Sequence, residues 1–468
     1  MSSALGQCFV KKLRALFLRD KGVVMQEIKL SDHFTYKKLI RFVLPSIIMM
    51  IFTSIYGVVD GLCVSNFVGK TPFAALNLIM PFIMVLGAFG FMLGAGGSAL
   101  VAKTLGERDG ERANRYFTML ITLDIISGVI LSVVGIVLIE PVAVLLGANE
   151  TLLPHCVLYG RIVLIGTPAF MLQNAFQSFL ITAEKPKLGL VVTVMAGVTN
   201  IILDLIFVGA FGWGLAGAAS ATVISQFVGG FVPFFYFARD NGSLLRLRKT
   251  RLEARPLLKA CANGSSELMS NISMSLVSML YNFQLMKYAG EDGVSAYGVI
   301  MYVNFIFVAA FIGYSIGSAP IVGYNYGAQN KDELKSLLKK SAIIIGSAGL
   351  VMTALAEVLA YPLTLIFVGY DKALFDLTLR GFMIFSLAFL LCGFNIYGSA
   401  FFTALNNGLV SAIISFLRTL VFQVTALFVL PLIWGVDGIF SAIIAAEIMA
   451  FVLTLIFLAA KRKKYGYF

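Results

Sequence analysis

Trp213-Gly214-Leu215-Ala216-Gly217-Ala218-Ala219-Ser220-Ala221 returns 221 residues later as Trp434-Gly435-Val436-Asp437-Gly438-Ile439-Phe440-Ser441-Ala442. The same offset carries Gly96 to Gly317, Val101 to Val322, Gly106 to Gly327 and Pro141 to Pro362. It also carries Ser178 to Ser399, Thr182-Ala183 to Thr403-Ala404 and Leu188 to Leu409. One such match is chance, but a register held from residue 96 to residue 442 is a duplicated half. Two halves of about 220 residues, each apolar enough to live in lipid, are the plan of a secondary transporter.

Composition sets the solvent. Of 468 residues 59% are hydrophobic and 13% charged, against about 25% charged in a soluble domain. Gly (44), Phe (40) and Met (18) are abundant, as in packed transmembrane helices where glycine lets backbones approach. Long apolar runs between short charged loops exclude a membrane β-barrel, whose strands alternate every second residue. The net charge of +12 is spread over many loops and does not form a nucleic-acid footprint. Five scattered cysteines without a C-x-x-C spacing and two histidines near loops offer neither a disulfide framework nor a zinc site. No P-loop, kinase set or G-x-S-x-G is present, so the chain carries no ATP-driven engine and no covalent catalysis. It is expected to be no enzyme and to need no cofactor beyond a coupling ion.

Stretches long enough to cross a ~30 Å hydrocarbon core run 41–65, 72–102, 115–139, 155–182, 188–211 and 213–237 in the first half. In the second they run 258–287, 294–322, 338–360, 377–404, 409–432 and 438–460. The expected fold is all-α and integral to the membrane: twelve helices in two pseudo-symmetric six-helix bundles. Residues 1–40 form an N-terminal segment, 41–237 an N-lobe, 238–257 a linker, 258–460 a C-lobe and 461–468 a basic tail. Alternate loops and the two ends hold 30 of the 36 Lys and Arg; the opposite face holds five (Lys70, Arg161, Lys287, Lys372, Arg380), and Arg418 lies inside a span. The positive-inside rule then places both termini and the linker in the cytoplasm of a multi-pass inner-membrane protein. The basic run Phe9–Leu18 reads as an interfacial helix without a role in transport; it is not a signal peptide, and Met25 is an alternative start.

A charge at mid-membrane costs about 2.5–3.5 kcal/mol, so Asp60, Asp124, Asp204, Glu267, Glu357, Glu447 and Arg418 each need a reason. Asp60 in span 1, Asp204 in span 5 and Thr222 in span 6 fall at similar depth, in the half of the bilayer away from the basic loops. Asn200 stands one turn before Asp204 on the same helix face. Two carboxylates, an amide and a hydroxyl on three helices form a cluster suited to H⁺ or Na⁺. At +221 the counterparts are Tyr281, Val421, Thr425 and Ile443, so the cluster belongs to one half only. Scaffold needed by every six-helix bundle would recur, although a self-satisfied polar knot is the alternative reading. Glu267 divides between contact with a cationic substrate and a structural carboxylate, and Arg418 with Glu447 reads as an intramembrane salt bridge. Glu357, Glu140 and Asp437 read as solvated residues near outer helix ends, and Asp124 has no evident partner. Tyr56, Tyr281 and Met301 join Glu267 as substrate-contact candidates, because Phe, Tyr and Met surfaces suit malleable binding of delocalised cations.

Leu44-Pro45-Ser46, Tyr56-Gly57-Val58-Val59-Asp60, Gly106-Glu107-Arg108 with Arg112-Ala113, Asn200-Ile201-Ile202-Leu203-Asp204 and the repeated Trp-Gly signature come in a specific order. In that order, over residues from about 35 to 460, the chain resembles the multidrug and toxic compound extrusion (MATE) family, in particular its DinF-like prokaryotic branch. The resemblance implies two six-helix lobes around a central V-shaped cleft, and extrusion of organic cations in exchange for H⁺ or Na⁺. It implies that Asp60, Asn200, Asp204 and Thr222 form the N-lobe coupling site, and that Glu267 holds the place of an acidic residue used in another branch. Where that branch has an acidic residue inside span 10, this chain has only Asp376 and Arg380 at the span's outer end.

The expected function is secondary active multidrug efflux by alternating access, with lipophilic cations or amphiphiles as substrates, the lipid bilayer as the other partner, no nucleic acid, and a monomeric chain. A lipid-linked oligosaccharide flippase of the same superfamily is the alternative. An integral membrane enzyme is a remote third.

Overall fold

The computed structural model describes residues 28–467. Nine described helices are long and apolar enough to cross a membrane, and two further pairs pass the same test as bent units. One of the nine, Ala254–Gly327, has 74 residues, about 110 Å of helix at 1.5 Å per residue. It breaks at Gly290, whose φ of 62° and ψ of −150° suit only glycine. Tyr281 and Tyr297, eight residues either side of Ala289, stack at 4.8 Å across this break. The element is therefore a hairpin of two spans, and the total among the described residues is twelve.

The spans are 1 (Tyr36–Phe67), 2 (Lys70–Gly106), 3 (Gly110–Leu145), 4 (Leu153–Ile165 with Thr167–Thr182), 5 (Pro186–Asp204, continuing to Ala210) and 6 (Gly214–Ala238). Spans 7 and 8 are the two arms of Ala254–Gly327, followed by 9 (Lys331–Val368) and 10 (Lys372–Ser386 with Phe389–Ala404). Span 11 starts at Gly408 and ends at Trp434 in several pieces; span 12 is Val436–Tyr465. Most spans outrun their apolar cores by several residues, because charged turns beyond the hydrocarbon remain helical. The segment Phe9–Leu18 and both possible starts lie outside the described residues.

Hydropathy does not reveal four features. Span 4 bends by 55° around Gly166 and span 10 by 48° around Leu387-Ala388, at matching places in the two halves. Spans 5 and 11 each contain a π-helical turn, Leu205–Ala210 and Leu417–Phe422. Such turns leave backbone carbonyls less regularly paired and often mark functional sites. The first follows directly on Asp204, and the second contains Arg418.

The duplication extends to backbone detail. Arg108 (φ 63°) and Gln329 (φ 56°) both adopt the left-handed conformation after spans 2 and 8. One residue on, Asp109 and Asn330 cap spans 3 and 9 through side chains that accept from the Arg112 and Glu333 amides. Gly106 and Gly327, themselves equivalent, meet across the lobes. A Cβ on Gly106 would lie 2.0 Å from Tyr324 O, and one on Gly327 would lie 1.9 Å from Lys103 O. Since Lys103 and Tyr324 are also equivalent, a pseudo-two-fold axis runs between these ends of spans 2 and 8.

The lobes close on one another at the face that carries the basic loops. Gly96 and Gly264 bring spans 2 and 7 together, and Gly313 and Gly317 lie against Ile47, Ser46 and Val43 of span 1. Farther from that face, Ser54 Oγ donates to Phe305 O at 3.3 Å. Beyond this contact Ile55, Tyr302 and Phe305 are more than a third exposed (44%, 37% and 43%), so the cleft opens toward the opposite face.

A strap seals the closed end. The Leu30 amide donates to Glu184 Oε1 of the N-lobe at 2.6 Å. Four residues on, the Phe34 amide donates to Glu333 Oε1 of the C-lobe at 2.9 Å, and His33 Nδ1 lies 2.6 Å from Glu333 Oε2. Lys340 Nζ donates to Phe34 O, and the Leu30 and Phe34 side chains are buried in the core beneath. The linker is in part a piece of the N-lobe: the Arg246 and Arg248 amides donate to Asn114 Oδ1 (2.6 Å) and Thr118 Oγ1 (2.9 Å) of span 3.

Candidate functional site

Asp60 stands near the far end of span 1, one turn past Tyr56. Asn200 and Asp204 share a face at the end of span 5, where the α-helix gives way to its π turn. The three side chains converge: Asp60 lies within hydrogen-bonding reach of both Asp204 and Asn200. None is locked into a well-directed bond. Asp60 Oδ1, both carboxylate oxygens of Asp204 and both side-chain polar atoms of Asn200 are buried without a hydrogen-bond partner among the described residues. Unpaired buried carboxylate oxygens are costly, and two carboxylates side by side out of water repel. A single cation, H⁺ or Na⁺, relieves both penalties, and a carboxylate–amide–phenol set supplies only hard oxygen donors.

Sequence reasoning missed Tyr159 of span 4. Its hydroxyl is buried without a partner and lies close enough to Asp60 and Asp204 to feel both charges. Tyr56 packs against span 5, where a Cβ on Gly197 would meet its ring at 3.3 Å, and so borders the cluster from below. Thr222 is less engaged than its depth suggests. Its hydroxyl proton is used within its own helix, donated to Ala218 O at 3.1 Å, leaving only lone pairs for the cluster.

Glu267 lies three residues beyond Gly264, the point where spans 2 and 7 touch, and so just above the closed floor of the cleft. It is ringed by protein yet keeps accessible surface, as a cleft wall does. Met301 lies one turn beyond Phe305 on span 8, part-buried against the C-lobe core. Tyr281 is instead a core residue of the C-lobe, fully buried and stacked on Tyr297, away from the cleft in this conformation.

Arg418 and Glu447 form a bidentate pair, Nη2–Oε1 2.7 Å and Nε–Oε2 3.1 Å, and Asn395 Nδ2 donates to Glu447 Oε2 at 2.6 Å. Spans 10, 11 and 12 are thereby tied together by a neutralised network. Glu357 is not merely a solvated cap: it accepts from Ser386 Oγ at the bend of span 10, a bond between spans 9 and 10. Asp437 pairs with Arg380. Asp124 is buried, with both oxygens unpartnered among the described residues. No group of three or more His, Cys, Asp or Glu among the described residues forms a metal cage.

Known proteins fit this geometry. The MatE family model matches twice, over residues 45–206 and 268–429. The multidrug export protein MepA of Staphylococcus haemolyticus (strain JCSC1435) is 24% identical over 89% of this chain and 92% of its own length. MepA of Staphylococcus aureus (strain MRSA252) is 21% identical over 88% and 91%. Among solved structures, a multidrug resistance MATE family transporter in its outward-facing conformation superposes with a TM-score of 0.87 at 23% identity, covering 94% of this chain and 100% of that one. A MOP superfamily transporter from Pyrococcus furiosus Vc1 (DSM3638) superposes with a TM-score of 0.85 at 22% identity, covering 95% and 99%. With a family model that spans more than half of its residues, once in each lobe, the chain belongs to the MatE family of membrane transporters.

Proposed function

We propose that the chain is a secondary active exporter of lipophilic organic cations, driven by H⁺ or Na⁺ bound at Asp60, Asn200 and Asp204. The observation that carries this reading is the convergence of two buried carboxylates and an amide with unpaired oxygens in one lobe only. A purely structural knot would satisfy its own polar atoms, as Arg418, Glu447 and Asn395 do in the other lobe. The multidrug export names of the relatives support the substrate class. So does Glu267, a carboxylate that keeps accessible surface just above the closed floor. Arg418 is neutralised by Glu447, which leaves the interior little to offer the pyrophosphate of a lipid-linked sugar and disfavours the flippase reading.

With the basic face in the cytoplasm, the cleft opens outward in this conformation. The cation arrives from outside, holds Asp60 and Asp204 together and draws span 1 toward span 5; the rearranged lobe releases substrate held near Glu267. The protein acts in a prokaryotic inner membrane, as a monomer, with both termini cytoplasmic. Efflux of ethidium from proteoliposomes under separately imposed pH and Na⁺ gradients tests this. Asp60→Asn and Asp204→Asn should each abolish gradient-driven efflux while the protein still inserts and keeps its thermal transition. Full transport by either variant would refute the site.

A further inference from the structure

The pair of spans 3 and 4 holds a second site, unrelated to the coupling cluster. At the face opposite the basic loops their outer ends enclose a groove of about 440 Å³, lined by Glu140 on one wall and Leu153, Val157, Leu158, Arg161 and Ile162 on the other. Both charges are exposed and face the same space, yet neither has an ion-pair or hydrogen-bond partner among the described residues. They also interrupt apolar faces. Arg161 follows Leu158 and precedes Ile165 on the exposed stripe of span 4, and Glu140 lies between the exposed Val137 and Val144 of span 3.

A lone charge on a lipid-facing stripe is unfavourable unless it lies at headgroup depth and meets an opposite charge. Glu140 is five residues before the end of span 3 and Arg161 eight after the start of span 4, roughly 8 and 12 Å from those ends at 1.5 Å per residue. Both therefore sit near the boundary between headgroups and acyl chains.

We propose that this groove binds one phospholipid with a zwitterionic, primary-amine headgroup. The Arg161 guanidinium takes the phosphate, in the bidentate manner that favours arginine over lysine. The Glu140 carboxylate accepts hydrogen bonds from the ammonium, and Leu158 and Ile162 receive the start of an acyl chain. The carboxylate sets the specificity. A primary ammonium donates hydrogen bonds to it, a choline headgroup cannot, and a glycerol headgroup presents no positive charge.

Native mass spectrometry of the full-length protein, released from detergent with equimolar dioleoyl phosphatidylethanolamine, phosphatidylcholine and phosphatidylglycerol, tests the proposal. The wild type should retain one phosphatidylethanolamine about fivefold over phosphatidylcholine, the order of factor one exposed charge-assisted contact gives. Arg161→Ala should lower retention of all three lipids. Glu140→Gln should erase the preference for the ethanolamine lipid over the choline lipid and leave the glycerol lipid unchanged or better bound. Both side chains are exposed, so the thermal transition should stay within a few degrees of wild type. Equal retention of the ethanolamine and choline lipids by the wild-type protein overturns the proposal without recourse to any variant. So does a preference that survives Glu140→Gln.

Discussion

Several buried polar residues sit where lipid offers no solvent, and they resolve their predicament in two ways. Arg418 and Glu447 solve it internally, with three short hydrogen bonds between them and a fourth from Asn395. Asp60 Oδ1, Asn200 Oδ1 and both Asp204 oxygens stay unpaired among the described residues. The difference predicts opposite responses to neutralisation. Arg418→Met strands the Glu447 carboxylate and should destabilise the protein by about 3 kcal/mol. Arg418→Met with Glu447→Met removes both charges and should recover most of that loss in a thermal melt. A double variant no more stable than the single one would contradict the pairing argument. Asp60 and Asp204 were legible in the sequence because a carboxylate in an apolar run stands out. Tyr159 was not: an aromatic residue within a span carries no hydropathy signal, and its hydroxyl acquires meaning only when the fold brings it to the carboxylates. Depth does not show that the Thr222 hydroxyl donates to its own helix, at Ala218 O, and keeps only its lone pairs for the cluster.

At the scale of elements, number, order and repeat register of the spans could be read from apolar run length, while breaks inside them could not. Hydropathy averages over about one membrane thickness, and so is blind to the 55° and 48° bends and to both π turns. The strap was equally hidden, because residues 28–34 look like any polar lead-in to a helix. Its anchors make a prediction about conformational balance. Glu333 accepts from the Phe34 amide and contacts His33; hydrogen bonds to a charged group contribute about 1.5–3 kcal/mol each. Glu333→Ala should therefore raise the population open at the basic face by at least about tenfold, and Glu333→Gln, which keeps one acceptor, by less. Spin-label distances between the ends of spans 3 and 9 on that face would report it. A distance distribution identical to wild type in both variants would show that the strap only decorates the closed state.

For the molecule as a whole, the pseudo-two-fold passes where Gly106 meets Tyr324 and Gly327 meets Lys103. Gly106→Ala and Gly327→Ala each place a methyl group inside the van der Waals shell of a backbone oxygen, so each should cost about 1–3 kcal/mol. The pseudo-two-fold predicts nearly equal losses, and thermal melts of the two variants side by side check it. A large inequality would mean that the axis lies elsewhere.

A contact in which position 106 faces the neighbourhood of its own counterpart, and 103 faces that of its own, is isologous in the sense used for two-fold homodimers. The chain is built as a dimer whose subunits were joined end to end, and the joining constrains its later history unevenly. Near the axis each residue meets the neighbourhood of its own copy, so Gly106 faces Tyr324 as Gly327 faces Lys103, and the two halves remain alike there. Away from the axis no residue meets its counterpart, and each half is free to diverge. Unpaired carboxylates in one lobe and a neutral arginine–glutamate network in the other are the kind of division of labour that a symmetric pair of identical subunits could not adopt.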